Sequence, residues 1–201
     1  MAYQRKDTYY ARAKASGYRS RAAFKLQELA RKYQLIRRGD HVVDLGAWPG
    51  GWLQIAAELA GPRGCVVGVD LQPIDTLPAP TVATLLGDAR DAAVQDALLD
   101  RCGGRVDVVL SDMAPKLSGI RDRDMARAAE LTETGLAVAE RLIAPGGRLL
   151  MKVFSGAESA ALVAARRLFS SAKLTKPEAS RKESAELYLI GLGRKTDAAR
   201  S

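Results

Sequence analysis

Cysteine and histidine are scarce in this chain. Its 201 residues hold two cysteines, Cys65 and Cys102, and one histidine, His41. The cysteines stand far apart, outside any Cys-x-x-Cys spacing, so neither a disulfide framework nor a structural zinc site is expected. They read as buried thiols of a reducing cytoplasm. Long apolar runs are missing too: none approaches the ~18 residues of a membrane-spanning helix, so no membrane partner is expected. The N-terminus lacks the apolar segment of a secretory signal, and its arginines run into a patterned helix that leaves little to cleave as a transit peptide. Aromatic residues amount to only 5%, but hydrophobic residues reach 47%, enough for a core without covalent staples. Without an internal repeat or linker, the chain reads as one domain over residues 1–201.

Positive charge is in excess, with a formal net charge of +8. Residues 1–38 carry eleven Lys and Arg against Asp7 and Glu28, a local +9, whereas the remainder nets −1. Residues 39–172 are acidic at −4, and 173–201 return to +3. Dispersed surface lysines do not give this pattern. It implies a polyanionic partner met by the two ends of the chain.

Residues 1–18 are basic, hold Tyr3, Tyr9, Tyr10 and Tyr18, and show no period, so an extended arm is expected there. Ser20 caps a helix over 21–33. Strands then alternate with helices. Apolar strands fall at 41–45, 65–70, 82–88, 106–112 and 148–154, with helices near 51–60, 91–100, 123–143 and 158–171. Two closing strands are placed at 173–176 and 186–193, and a polar tail at 194–201. The alternation predicts an α/β fold, a doubly wound, mostly parallel seven-stranded sheet covered by helices on both faces. Ligands of such sheets bind at the carboxyl ends of the strands.

That is where the chemistry-bearing residues fall. Asp44-Leu45-Gly46-Ala47-Trp48-Pro49-Gly50-Gly51-Trp52 leaves the first strand and opens a helix. Gly46 suits a tight turn, and Gly50 and Gly51 let backbone approach a ligand. The spacing is neither G-x-G-x-x-G nor a P-loop, which disfavours a nicotinamide enzyme and an NTPase. Asp70, Asp88 and Asp112 end the next three strands, so with Asp44 they form an acidic rim. A carboxylate at the end of the second strand suits the hydroxyls of a ribose. Lys152 interrupts an otherwise apolar strand and needs a partner or a task there. Lys25 raises the same question on the first helix.

The ordered set Ser20-Arg21-Ala22-Ala23-Phe24-Lys25-Leu26, Asp44–Trp52, Ser111-Asp112-Met113-Ala114-Pro115, Met151-Lys152-Val153-Phe154 and Glu186-Leu187-Tyr188 resembles the FtsJ/RrmJ family of 2′-O-ribose RNA methyltransferases, over about residues 18–195. The resemblance implies a Rossmann-like fold and S-adenosyl-L-methionine as methyl donor. It places the family's tetrad on Lys25, Asp112, Lys152 and Glu186, with Lys152 as proton acceptor. The donor is expected against Gly50 and Trp52, with Asp70 on its ribose, Asp88 near its adenine and Asp112 near its methionine part. Asp44, Gly46, Pro49, Gly51 and Leu71 complete that pocket. Trp48 stands where the family usually has a small residue.

The implied substrate is a uridine of 23S ribosomal RNA, in the large subunit or its precursor, with the enzyme a monomer and no metal required. A tRNA or another RNA is the alternative within the family. A small-molecule methyltransferase would need neither the basic N-terminus nor the paired lysines. A ribose 2′-hydroxyl is a weak acid, so a general base and precise positioning would supply the rate. For Lys152, burial and a second cation favour the neutral amine, whereas Asp112 opposes this. Lys25 and Glu186 are expected to orient the substrate. RNA contacts are expected from residues 1–38, from Lys173, Lys176, Arg181 and Lys182, and from the loop 116–124.

Overall fold

The computed structural model describes residues 8–115, 118–154, 156–180 and 186–196; for residues 8–11 and 121 it describes the backbone alone. The expected contacts at Arg5, Lys6, Lys116, Arg181 and Lys182, the side chains of Tyr9 and Tyr10, and the tail beyond 196 lie outside the described residues.

The elements run α1 (Thr8–Ala15), α2 (Ala22–Tyr33), β1 (His41–Leu45), α3 (Gly51–Ala60), β2 (Cys65–Asp70), β3 (Val82–Leu86), α4 (Ala92–Arg101), β4 (Val106–Ser111), α5 (Arg121–Leu142), β5 (Ile143–Val153), α6 (Glu158–Leu168), β6 (Phe169–Thr175) and β7 (Leu187–Arg194). The strands form one seven-stranded sheet in the order β3-β2-β1-β4-β5-β7-β6. β1 to β5 pair in parallel, and β7 runs antiparallel to both β5 and β6. The doubly wound expectation holds.

Strand periodicity divides the core. Val42, Val66, Val108, Leu110 and Leu150 face α2 and α3, together with Tyr188 and Ile190 of β7. Val43, Val67, Val109, Leu149 and Met151 face α4, α5 and α6. Successive strand residues point to opposite faces, so continuous apolar runs such as Val42-Val43 satisfy both layers. The connection reverses between β1 and β4, and that switch point opens a crevice at the carboxyl ends of the strands.

Several elements differ from the sequence reading: β5, expected from 148, starts at Ile143, and α2 has Arg21 rather than Ser20 at its N-cap, without a side-chain capping bond. The expected extended arm contains helix α1. Eight residues are marginal as an isolated helix. Docking supplies the rest: Ala13 is buried against Phe24 and Ala179, and the Arg12 guanidinium lies 4.8 Å over the Phe24 ring. The helix expected over 158–171 ends at Leu168. Phe169-Ser170-Ser171 instead begins β6, whose ladder to β7 starts at the pair Phe169↔Arg194. β3 ends at Leu86, which leaves Asp88 in the following turn.

Candidate active site

The β1 strand ends under tight control. The amides of Gly46 and Ala47 both donate to Val69 O on β2, and the Asp112 amide donates to Leu45 O. Gly46 has φ +73°, and a Cβ there would press on Met113 Cγ at 2.8 Å, so this turn requires glycine. These bonds gather Asp44, Asp70 and Asp112 at one end of the sheet.

Asp44 is 1% exposed, and neither carboxylate oxygen has a hydrogen-bond partner among the described residues. Burial, followed by the charges of Asp112 and Asp70, pushes its pKa well above the ordinary carboxylate range. A buried orphan carboxylate beside two others is a place for a cation. S-Adenosylmethionine carries two positive groups, a sulfonium and an ammonium, so this chemistry fits the donor. Asp70 accepts hydrogen bonds from the amides of Trp48 and Gln72, each at 2.9 Å. They fix the carboxylate and leave each oxygen a lone pair for a ribose hydroxyl. Trp48 is held through its backbone while its side chain stays 51% exposed, so the turn accommodates the bulky residue.

Other expected donor residues sit differently. Asp88 is gripped by Arg90, whose Nη2 lies 2.6 Å from Oδ2; that bond is the main cause holding the carboxyl below its usual range. Leu71 is exposed beside Asp70. A Cβ on Gly51 would meet Ser20 Oγ, and the Trp52 indole is buried, donating to Ala22 O at 2.8 Å. The glycine at 51 therefore makes room for Ser20 of the N-terminal segment. Pro49 is placed through its carbonyl, which accepts from Arg19 Nη1 at 3.2 Å.

The four tetrad candidates come together. Lys25, on α2, is 5% exposed, and its Nζ lies 2.6 Å from Glu186 Oε2. Lys152, on β5, is 8% exposed, and its Nζ lies 2.9 Å from Asp112 Oδ1 and 3.7 Å from Glu186 Oε1. The two carboxylates thus face the two lysine nitrogens in one continuous chain of contacts. Each lysine has the partner that burial demands.

Tyr188 completes the cluster, a part for which its sequence position alone did not single it out. Fully buried, it pairs in register with Lys152 across the antiparallel β5–β7 ladder. Its hydroxyl donates to Asp112 Oδ1 at 3.0 Å and lies 3.4 Å from Lys25 Nζ. Burial first, then Asp112 and Glu186, raise its pKa well above the ordinary tyrosine value, so it is a hydroxyl donor. The available signal was its position two residues after Glu186, since alternate residues of a strand share a face.

Beyond the cluster, α1, α2 and residues 177–180 border a groove of about 700 Å³ lined by Arg12, Arg31 and Lys32 around Phe24, with Glu28 among them. The Lys173 ammonium caps the Tyr33 ring at 4.2 Å. Tyr18 packs on the domain: its ring meets Phe24 edge-on at 5.6 Å and its hydroxyl donates to Glu58. Among the described residues, no group of three or more His, Cys, Asp and Glu side chains is placed to hold a metal ion, and no helix is long and apolar enough to cross a membrane.

Comparison with known proteins agrees with this geometry. Over 192 residues, covering 95% of this chain and 91% of the relative, the chain is 47% identical to the ribosomal RNA large subunit methyltransferase E of Methanothermobacter thermautotrophicus. A Plasmodium falciparum crystal structure described as a ribosomal RNA methyltransferase aligns with a TM-score of 0.76 at 28% identity, covering 88% of this chain and 98% of its own. Aeropyrum pernix fibrillarin, solved with natively bound S-adenosyl-L-methionine, shares the fold at TM-score 0.60 and 17% identity, over 87% of this chain and 75% of its own. Residues 18–194 match the FtsJ-like methyltransferase family, and with that span and that relative the chain belongs to it.

Proposed function

We propose that this protein methylates the ribose 2′-hydroxyl of a uridine in 23S ribosomal RNA of the large subunit, as a single-domain, monomeric cytoplasmic enzyme. The observation that carries the reading is the buried Lys25–Glu186–Lys152–Asp112–Tyr188 cluster beside the acidic strand ends. The names of the relatives support a large-subunit ribosomal RNA as substrate. The groove bordered by Arg12, Arg31 and Lys32 supports an RNA backbone as partner, since guanidinium and ammonium groups neutralise phosphates.

S-Adenosylmethionine, when bound, supplies an electrophilic methyl group on a positively charged sulfur. Asp44, Asp70 and the turn around Gly46 and Gly50 would hold it, with Asp88 and Leu71 at the base end. Lys152 takes the proton of the 2′-hydroxyl at Nζ. Lys25 and Glu186 orient the ribose, and Tyr188 fixes Asp112 through its hydroxyl.

The test offers tritiated donor to large ribosomal subunits, free ribosomal RNA, tRNA and protein. Label entering the subunit or its RNA is the expected result. Label entering only tRNA would move the protein to the alternative substrate, and label entering only protein would overturn the reading.

A further inference from the structure

The stretch 17–20 joins α1 to α2 and carries Arg19, whose guanidinium bonds to the chain's own backbone. Its guanidinium makes three hydrogen bonds to backbone carbonyls: Nη1 to Pro49 O at 3.2 Å and Asp75 O at 2.6 Å, and Nη2 to Thr76 O at 2.7 Å. Its amide donates to Gln54 Oε1 at 2.9 Å, and Gln54 Nε2 returns a bond to Gly17 O at 2.9 Å. A Cβ on Gly50 would lie 3.1 Å from Arg19 Nη1 and 3.3 Å from its Cδ, so the guanidinium rests on the glycine turn itself. Gly50 has φ +106°, and so needs glycine for its conformation as well. Ser20, next in the chain, fills the space above Gly51.

We infer that Arg19 is a positioning residue of the methyl-donor pocket, clamping the Pro49–Gly50 turn to the loop that follows Asp70. The inference rests on the donor-binding reading above. The two tied segments come from the ends of β1 and β2, and no strand ladder connects them at that point. Residues 71–81 lie between strands, so the bonds to Asp75 O and Thr76 O are a direct tie from this loop to the glycine turn. A fork of guanidinium donors spans three carbonyls in a way an ammonium cannot, and such charge-assisted bonds are the strong ones. The same stretch runs directly into α2, which carries Lys25. One segment thus sets the donor loops and the entry of the helix bearing a tetrad lysine. Three of the five guanidinium donors of Arg19 are committed to carbonyls, whereas Arg31 and Lys32 line the neighbouring groove.

The experiment measures three quantities on the full chain: the dissociation constant for S-adenosylhomocysteine by calorimetry, RNA affinity by filter binding, and turnover at saturating donor. The variants are Arg19→Ala, Arg19→Lys and Gln54→Met. Expected for Arg19→Ala is a rise of about tenfold or more in the S-adenosylhomocysteine constant, RNA affinity held, and a smaller loss of turnover at saturating donor. Arg19→Lys recovers part of the loss, and Gln54→Met shows the same direction with smaller size. Reduced RNA affinity with donor affinity intact in Arg19→Lys and Arg19→Ala would make Arg19 a phosphate contact and overturn the inference. Unchanged donor affinity in all three variants would overturn it too. A parent protein that binds no S-adenosylhomocysteine would overturn the donor reading itself, a separable failure.

Discussion

Lys152 stands in a strand where Met151 and Val153 on either side are buried in the apolar core. Its placement is explained by Asp112 and Glu186, and its use by the proposed proton transfer. Lys152→Arg keeps a cation for both carboxylates but cannot accept a proton near neutral pH. Turnover should fall by ~10²–10⁴-fold, the typical worth of a general base, while donor affinity is retained. Single-turnover kinetics at saturating donor measures this, and near-parental turnover would remove the base assignment.

Asp44 makes the opposite kind of statement. Its pKa is raised by burial and by Asp112 and Asp70, so the folded state binds its proton more tightly than the unfolded chain does. That preference stabilises the protein at low pH, and the stability is lost as pH climbs from the ordinary carboxylate range through the raised value. Asp44→Asn removes the cost of ionisation. Without donor, the variant should melt above the parent at pH 8, by a margin that shrinks towards pH 5, and it should bind donor more weakly. A margin independent of pH in thermal melts would contradict burial and the two neighbouring carboxylates as the cause of the raised pKa.

Asp44, Asp70 and Asp112 were readable from sequence because each lies at or beside the end of a valine-rich run, whereas Asp88 falls two residues past the end of β3. Tyr188 and Arg19 were not readable in this way. Tyr188 depends on the β5–β7 register, and Arg19 acts on carbonyls 30 and 56 residues away, to which side-chain chemistry gives no clue.

At the scale of elements, β1, α3 and β2 match the sequence reading residue for residue, whereas β3 and α6 end early and β5 begins early, at Ile143. The departures near the two ends of the chain share one cause. α1 and β6 are short segments of weak intrinsic pattern, and each takes its form from what it docks on: Phe24 and Ala179 for α1, β7 for β6. A second long-range feature lies at the far end of the sheet. Arg148, at the base of the β4–β5 pairing, reaches Asp40 just before β1, with Nη2 at 2.9 and 3.0 Å from its two oxygens. Both residues are buried, and Asp40 also accepts the Arg37 amide. Arg148→Ala strands a buried carboxylate and should cost ~3–5 kcal/mol, whereas replacing both partners with apolar residues of similar volume should cost far less. Urea unfolding of the single and double variants decides it. Equal losses from the two would mean that the charge pairing is not what matters.

For the whole molecule, the net charge of +8 resolves into two regions of different use. The segment 39–172 is acidic, and its strand ends gather carboxylates suited to a cationic donor and its ribose. The basic excess lies before and after it in the chain, where α1 and α2 border a groove carrying Arg12, Arg31 and Lys32. Lys25 and Lys152 sit between these regions, on α2 and β5, joined through Glu186. In the proposed function this layout orders the components of a methyl transfer to RNA: donor at the sheet ends, proton acceptor in the buried cluster, polyanion on the basic side. The central claim is that the methyl group arrives on a ribose oxygen. Ribosomal RNA labelled by this enzyme with tritiated donor should be hydrolysed in alkali and its fragments separated by size. A 2′-O-methyl group blocks cleavage at its own phosphate, so the label should run as an alkali-stable dinucleotide. Label recovered in mononucleotides would place the methyl group on a base and contradict the account.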